Sequence, residues 1–122
     1  MNGEKNLLFV DDETEILEIL VDLFSDEGYR LHTATRASDA MHIMENNPID
    51  FVLSDLKLQD SSGSDFLEKV RESHPDAVRV LTSGYFDVQF GQVKEDAKSG
   101  TLYLSKPWDL GTLKNLVELK LG

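Results

Sequence analysis

Residues 6–13 read NLLFVDDE, an apolar run from Leu7 to Val10 closed abruptly by three acids. A run that is apolar at consecutive positions is what a strand covered on both faces requires, and crossover helices on a parallel sheet provide that cover. The same unit recurs along the chain. Strand one spans about Asn6 to Val10. A helix follows with Ile16, Leu17, Ile19, Leu20, Leu23 and Phe24 on one stripe and Gly28 where a left-handed C-cap is wanted. Strand two is about Tyr29 to Ala34, and the second helix carries Ala37, Ala40, Met41 and Met44 before Pro48 forbids continuation. Strand three is Phe51 to Ser54. The third helix carries Phe66, Leu67 and Val70, is capped by Ser62 or Ser64 and stops before Pro75; strand four is about Ala77 to Thr82. Between Tyr85 and Lys98 a ragged stripe of Val88, Phe90 and Val93, interrupted by Gly91, predicts a fourth helix. Strand five is Thr101 to Leu104, and the fifth helix starts at an Asp109 cap and buries Leu110, Leu113, Leu116 and Val117. Strands alternating with crossover helices predict an α/β sandwich, a parallel sheet with helices on both faces, as one domain over residues 1–122.

Composition limits what such a domain can do. With Lys+Arg 12 against Asp+Glu 23 the net charge is −11, so nucleic acid and anionic membrane surfaces both repel it. Cysteine is absent, which removes disulfides, thiolate chemistry and cysteine-held metals. No stretch is long and apolar enough for a signal peptide or a membrane span, so a cytoplasmic location is expected. His32, His42 and His74 lack metal spacing and read as ordinary surface or edge histidines, Met41 and Met44 as a helix face, and Trp108 as packing at the start of the fifth helix.

In sheets of this kind ligands bind beyond the carboxyl ends of the strands. There the sequence places Asp11 and Asp12 after strand one, Asp55 after strand three, Thr82 and Ser83 at the end of strand four, and Ser105 and Lys106 after strand five. Singly, each has a plain explanation: acids cap helices, Asp55 opens a loop, Ser83 precedes Gly84, and Lys106 is a solvated lysine. Together they do not. Three carboxylates on neighbouring strand ends raise one another's pKa unless a cation sits among them. Oxygen donors in that number suit Mg²⁺. A carboxylate can also attack phosphorus, with a lysine and a hydroxyl placed to receive the phosphoryl oxygens.

These residues resemble the receiver domain of two-component response regulators, from Asn6 to Leu121. The acidic pair falls on Asp11 and Asp12 of LLFVDDE, the phospho-accepting aspartate on Asp55 of FVLSDLKLQDSSG with Gly63 downstream, and the lysine–proline pair on Lys106 and Pro107 of YLSKPW. The switch hydroxyl falls on Ser83 of VRVLTSGY rather than Thr82, because a small residue, here Gly84, follows that position in the family. The aromatic switch residue falls on Tyr103. The resemblance implies a flavodoxin-like (βα)₅ sandwich with a five-stranded sheet in the order 2-1-3-4-5. It implies Mg²⁺ held by Asp12, Asp55 and the backbone carbonyl of Lys57, with Asp11 holding a coordinating water. It also implies a phosphoryl group passed to Asp55 from a sensor histidine kinase or phosphotransfer protein. Ser83 and Lys106 would turn to that group while Tyr103 swings inward, remodelling the face formed by the fourth helix, fifth strand and fifth helix, which could also serve a homodimer or a downstream effector. The domain would be a switch, catalysing only its own phosphorylation and slow dephosphorylation, and not an enzyme in the usual sense.

The sequence departs from the family at Gln59, where proline is usual, and loss of that rigid turn predicts a less fixed loop. Lys57 and Tyr85 occupy positions that influence phosphate lifetime in the family. Tyr85, Phe86 and Phe90 would belong either to an altered partner surface or to a poorly ordered segment. Two rival readings stand beside the switch. One is a pseudo-receiver adaptor that keeps the fold without using phosphate. The other is a phosphohydrolase of the haloacid dehalogenase type, disfavoured because the second acid of its strand-one motif would fall on Glu13. A flavodoxin is disfavoured because no Ser/Thr/Gly-rich phosphate loop follows strand one.

Overall fold

The strand β1 (Asn6–Val10) is buried at all five positions, as its unbroken apolar run demands. In the computed structural model, which describes residues 4–84 and 92–122, it is followed by α1 (Thr14–Phe24), β2 (Arg30–Ala34), α2 (Ala37–Asn46), β3 (Phe51–Asp55), α3 (Gly63–Ser73), β4 (Val78–Ser83), β5 (Val93–Glu95), β6 (Leu102–Ser105) and α4 (Leu110–Leu121). The sheet order is β2-β1-β3-β4-β6-β5. The first five strands of that order pair in parallel, which is the expected 2-1-3-4-5 arrangement with β6 as the expected fifth strand. Two apolar layers sandwich the sheet. Phe9, Phe51, Leu53, Val80 and Leu104 meet Leu17, Leu20, Phe24, Leu113 and Val117 of α1 and α4. On the other face Leu8, Val10, Val52 and Leu81 meet Ala40, Met44, Phe66, Leu67 and Val70 of α2 and α3.

The end of the sheet corrects the sequence reading. No helix is present among the described residues between β4 and β6. Instead Val93, Lys94 and Glu95 pair antiparallel with Leu104, Tyr103 and Leu102, adding a sixth strand. Tyr85, Phe86, Val88, Phe90 and Gly91, which also carried the expectation, lie outside the described residues. The hairpin is set by its turn chemistry. Asp96 accepts the Lys98 N–H and the Ser99 hydroxyl, Gly100 turns the chain at φ 76°, and the Asp96 N–H reaches Thr101 O at 2.9 Å. An Asp-x-x-Ser-Gly run closes a turn more readily than it ends a helix stripe broken at Gly91. Arg79, only 7% exposed, locks the turn from below by donating to Ser99 O at 2.6 Å and to Thr101 Oγ1 at 3.3 Å.

Smaller differences are local. Gly28 has the positive φ expected of it, yet α1 ends at Phe24 and a turn separates the two. Ser62, not Ser64, caps α3 by accepting the Asp65 N–H, and Asp109 caps α4 through the Gly111 N–H. Among the described residues no helix is long and apolar enough to cross a membrane.

Candidate functional site

Asp11 leaves β1 on the register of the sheet, its N–H donating to Ala34 O of β2 at 3.1 Å. Its side chain turns into the carboxyl edge, and the residue is only 2% exposed. Asp55 is the last residue of β3 and lies beside Thr82 of β4. Carboxylate oxygens of Asp11, Asp12 and Asp55 lie within 4.8 Å of one another. Lys106 follows β6, its backbone N–H tied to Ser83 O at 3.0 Å, ahead of a cis bond to Pro107. Its ammonium bridges the acids, 3.0 Å from Asp11 Oδ2 and 2.9 Å from Asp55 Oδ1.

The electrostatics follow from this crowding. Burial pushes the Asp11 carboxyl above its ordinary value, and the nearby Asp55 charge adds to that, against the Glu13 N–H and Lys106 that favour ionisation. Burial also pulls the Lys106 ammonium down, but its hydrogen bonds to Asp55 and Asp11 outweigh the loss and hold its pKa above the ordinary lysine value. One ammonium among three carboxylates leaves an excess of negative charge aimed at one point. Hard oxygen donors in that arrangement fit a divalent cation such as Mg²⁺.

The cavity in front of these groups, about 520 Å³, is lined by Asp12, Glu13, Asp55, Leu56, Lys57, Ser83, Gly84 and Lys106. Ser83 therefore opens on the acids. Thr82, one residue earlier and on the opposite face of the strand, accepts a hydrogen bond from Trp108 Nε1 at 2.7 Å. Asp55 is held at both oxygens, Oδ1 by Lys106 and Oδ2 by the Lys57 N–H at 3.1 Å. Tyr103 stands apart from this cavity. It lies beside Leu81 on the α3 face and lines a separate groove of about 160 Å³ with Leu67, Glu68, Asp96 and Ser99.

A model of the response regulator receiver domain matches residues 7–118. The chain belongs to that family. The receiver is 31% identical over 121 residues to the sensor kinase CckA of Brucella abortus, covering 97% of this chain and 13% of that protein. It is 32% identical to the photosynthetic apparatus regulatory protein RegA of Cereibacter sphaeroides, covering 89% of this chain and 59% of that protein. The chain thus spans only part of the curated relatives it matches. A solved structure, the signal receiver domain of an HD domain-containing protein from Pseudomonas fluorescens Pf-5, superposes with a TM-score of 0.82 at 27% identity, over 99% of this chain and 89% of that one. The receiver is a signalling domain, and its flavodoxin-like fold is shared with these neighbours.

Two side chains in this neighbourhood do more than the sequence reading assigned to them. Trp108 does more than pack: its indole holds Thr82, and its ring lies 5.4 Å from the Lys106 ammonium. Asp60, assigned no role from sequence, caps α2 with its carboxylate. The Gln59 N–H, which proline would lack, donates to Thr35 O at 3.5 Å. A signal was present in the sequence: an acid near the tip of a loop, and a helix start at Arg36–Ala37 without a capping side chain.

Proposed function

We propose that this receiver takes a phosphoryl group onto Asp55 in a Mg²⁺-dependent reaction and so acts as a two-component switch. The single observation that carries the reading is the Lys106 ammonium held between Asp11 and Asp55 at 3.0 and 2.9 Å, at the strand edge where Ser83 and Asp12 also open. Asp12, Asp55 and the Lys57 carbonyl would hold the cation, with Asp11 acting through a water. The bound ion would supply charge neutralisation at the phosphoryl oxygens.

The chain's own groups do the rest. Asp55 presents a carboxylate whose orientation is fixed at both oxygens. A phosphohistidine of a sensor kinase or phosphotransfer protein is the donor: the N–P bond breaks, an O–P bond forms on Asp55, and the released imidazole nitrogen takes up a proton. Positioning and charge neutralisation account for most of such a transfer. The new group brings about −1.5 to −2 charge. Lys106 exchanges its carboxylate contact for the phosphoryl oxygens, and the Ser83 hydroxyl donates to them. Charge-assisted hydrogen bonds at about 1.5–3 kcal/mol each supply the roughly 5.5 kcal/mol that a two-state switch needs. Tyr103 then moves towards the space Ser83 leaves, altering the β6–α4 face and the β5 edge beside it, the surface offered to an effector or a second copy.

Intact mass after incubation with Mg²⁺ and acetyl phosphate tests the reading, run beside Asp55→Asn. One added phosphoryl group in the wild type, labile to hydroxylamine and missing in the variant, is expected. An unlabelled wild type that also fails to bind Mg²⁺ would establish the pseudo-receiver instead, and steady release of phosphate from esters would establish a phosphohydrolase.

A further inference from the structure

The loop from Leu56 to Ser62 is tied down at its base and again at its tip. At the base Lys57 and Ser62 form an antiparallel bridge, the Gly63 N–H donates to Leu56 O at 2.7 Å and the Leu58 N–H to Ser61 O at 3.1 Å. The Leu58 side chain is buried in the layer under α2 and α3. The tip is held by a different part of the chain. Asp60 Oδ1 accepts the Ala37 N–H at 2.6 Å, and Oδ2 accepts the Ser38 N–H at 3.1 Å.

Ala37 is the first residue of α2, and Arg36 ahead of it makes no side-chain cap. The orphan N–H groups and positive end of α2 are therefore satisfied by a carboxylate from the loop after β3. The Ala37 N–H, and then that of Ser38, hold the Asp60 carboxyl below its ordinary value of 3.8. A proline at position 59 would stiffen this loop by fixing its backbone. Here a tether to α2 stands in for that stiffness.

We infer that Asp60 is a positioning residue of the phosphorylation site: by clamping the loop tip onto the start of α2 it holds the Lys57 carbonyl where the cation needs it. The inference rests on the reading above, in which that carbonyl is a ligand. It gives the exposed carboxylate a task beyond capping, because the two ends of the clamp belong to α2 and to the cation site. Removing a group that orients a metal ligand typically costs about 10–100-fold in metal affinity.

The test is a Mg²⁺ titration followed by Trp108 fluorescence, with acetyl phosphate labelling of Asp55 followed by intact mass. It compares the wild type with Asp60→Ala, Asp60→Asn and Ala37→Pro. Asp60→Ala is expected to raise the Mg²⁺ concentration for half-saturation on the order of tenfold, with labelling at saturating Mg²⁺ restored. Asp60→Asn keeps an acceptor oxygen and should fall between. Ala37→Pro removes a donor from the helix side at the one helical position where proline is at home, so α2 is preserved while Asp60 loses its shorter contact. It should shift Mg²⁺ binding in the same direction while melting as a folded protein, and a merely structural cap would leave the Mg²⁺ titration unmoved. Should Asp60→Ala fail to fold, Ala37→Pro decides alone. A wild type that binds Mg²⁺ and is labelled, with Asp60→Ala or Ala37→Pro titrating as it does, overturns the clamp and leaves the switch standing. A wild type that neither binds Mg²⁺ nor is labelled overturns both.

Discussion

Trp108 Nε1 donates to Thr82 Oγ1 at 2.7 Å, which commits the Thr82 hydroxyl to the α1–α4 side of the sheet and leaves Ser83 to open on the acids. The two adjacent hydroxyls should therefore separate on substitution. Thr82→Val leaves the half-buried Trp108 indole N–H without its acceptor and is expected to cost about 1 kcal/mol of stability with labelling of Asp55 intact. Ser83→Ala is expected to be labelled roughly tenfold more slowly, the loss of about one charge-assisted hydrogen bond. Denaturant melts and time-resolved intact mass check the pair, and the reverse pattern would move the switch to Thr82.

Lys106→Met removes the one ammonium between Asp11 and Asp55. Breaking a largely buried pair is expected to cost about 1.5–3 kcal/mol at neutral pH. The sign with pH follows from Asp11, whose carboxyl burial already pushes above the ordinary 3.8. A raised folded pKa means that the folded state binds the proton more tightly, so stability is gained as pH falls through it. Without Lys106 the group rises further, and the deficit of the variant should shrink on acidification. Melting temperatures of both proteins from pH 7 to pH 4 measure this; a deficit that stays constant would mean that the lysine acts through packing alone.

Gly63 begins α3 against the site. A Cβ built there would lie 2.0 Å from Asp55 O and 2.9 Å from Leu81 Cδ1, so Gly63→Ala must displace the backbone that carries Asp55. A stability loss of about 1–3 kcal/mol or more is expected, together with slowed labelling that saturating Mg²⁺ does not repair. Wild-type melting and labelling in this variant would contradict the close approach.

The parts of the fold that were legible in the sequence are those where one physical signal dominated. The unbroken apolar runs at Leu7–Val10 and Phe51–Leu53, and the acids and lysine that end their strands, admit few other arrangements. The hairpin was missed because Val93 fits a helix stripe as well as a strand, and three residues of strand carry too little periodicity to arbitrate. Asp96, Ser99 and Gly100 held the deciding turn signal, outweighed there by the expectation of a helix between two parallel strands. The Asp60 clamp was missed for another reason: it joins residues 23 apart in sequence, and a helix start without a capping side chain does not say which distant acid supplies the cap.

Arg79 holds the hairpin turn by donating to Ser99 O and Thr101 Oγ1 from beneath it, while burial lowers its pKa from the ordinary arginine value. Arg79→Met keeps the stem and removes the donors. Hydrogen exchange at Val93–Glu95 should then quicken markedly while exchange in β1 and β3 changes little, because the ties lost run to the β5–β6 turn and to Pro75 O and Ala77 O ahead of β4. Uniform quickening across the sheet would show that the arginine supports the whole core.

Asp60 gives the remaining prediction, which turns on acid. Its carboxyl is held below 3.8 by the Ala37 and Ser38 N–H groups, so its folded pKa is depressed. A depressed carboxylate contributes stability that is fully present above the unfolded value and is lost as pH falls through the folded one. Asp60→Asn should therefore be less stable than wild type at pH 7 and indistinguishable from it once both are below the folded pKa. Paired thermal melts from pH 7 downward read the convergence. A gap that persists in acid would mean that the carboxylate's charge contributes nothing, and that the clamp is an uncharged hydrogen-bond acceptor that asparagine replaces poorly.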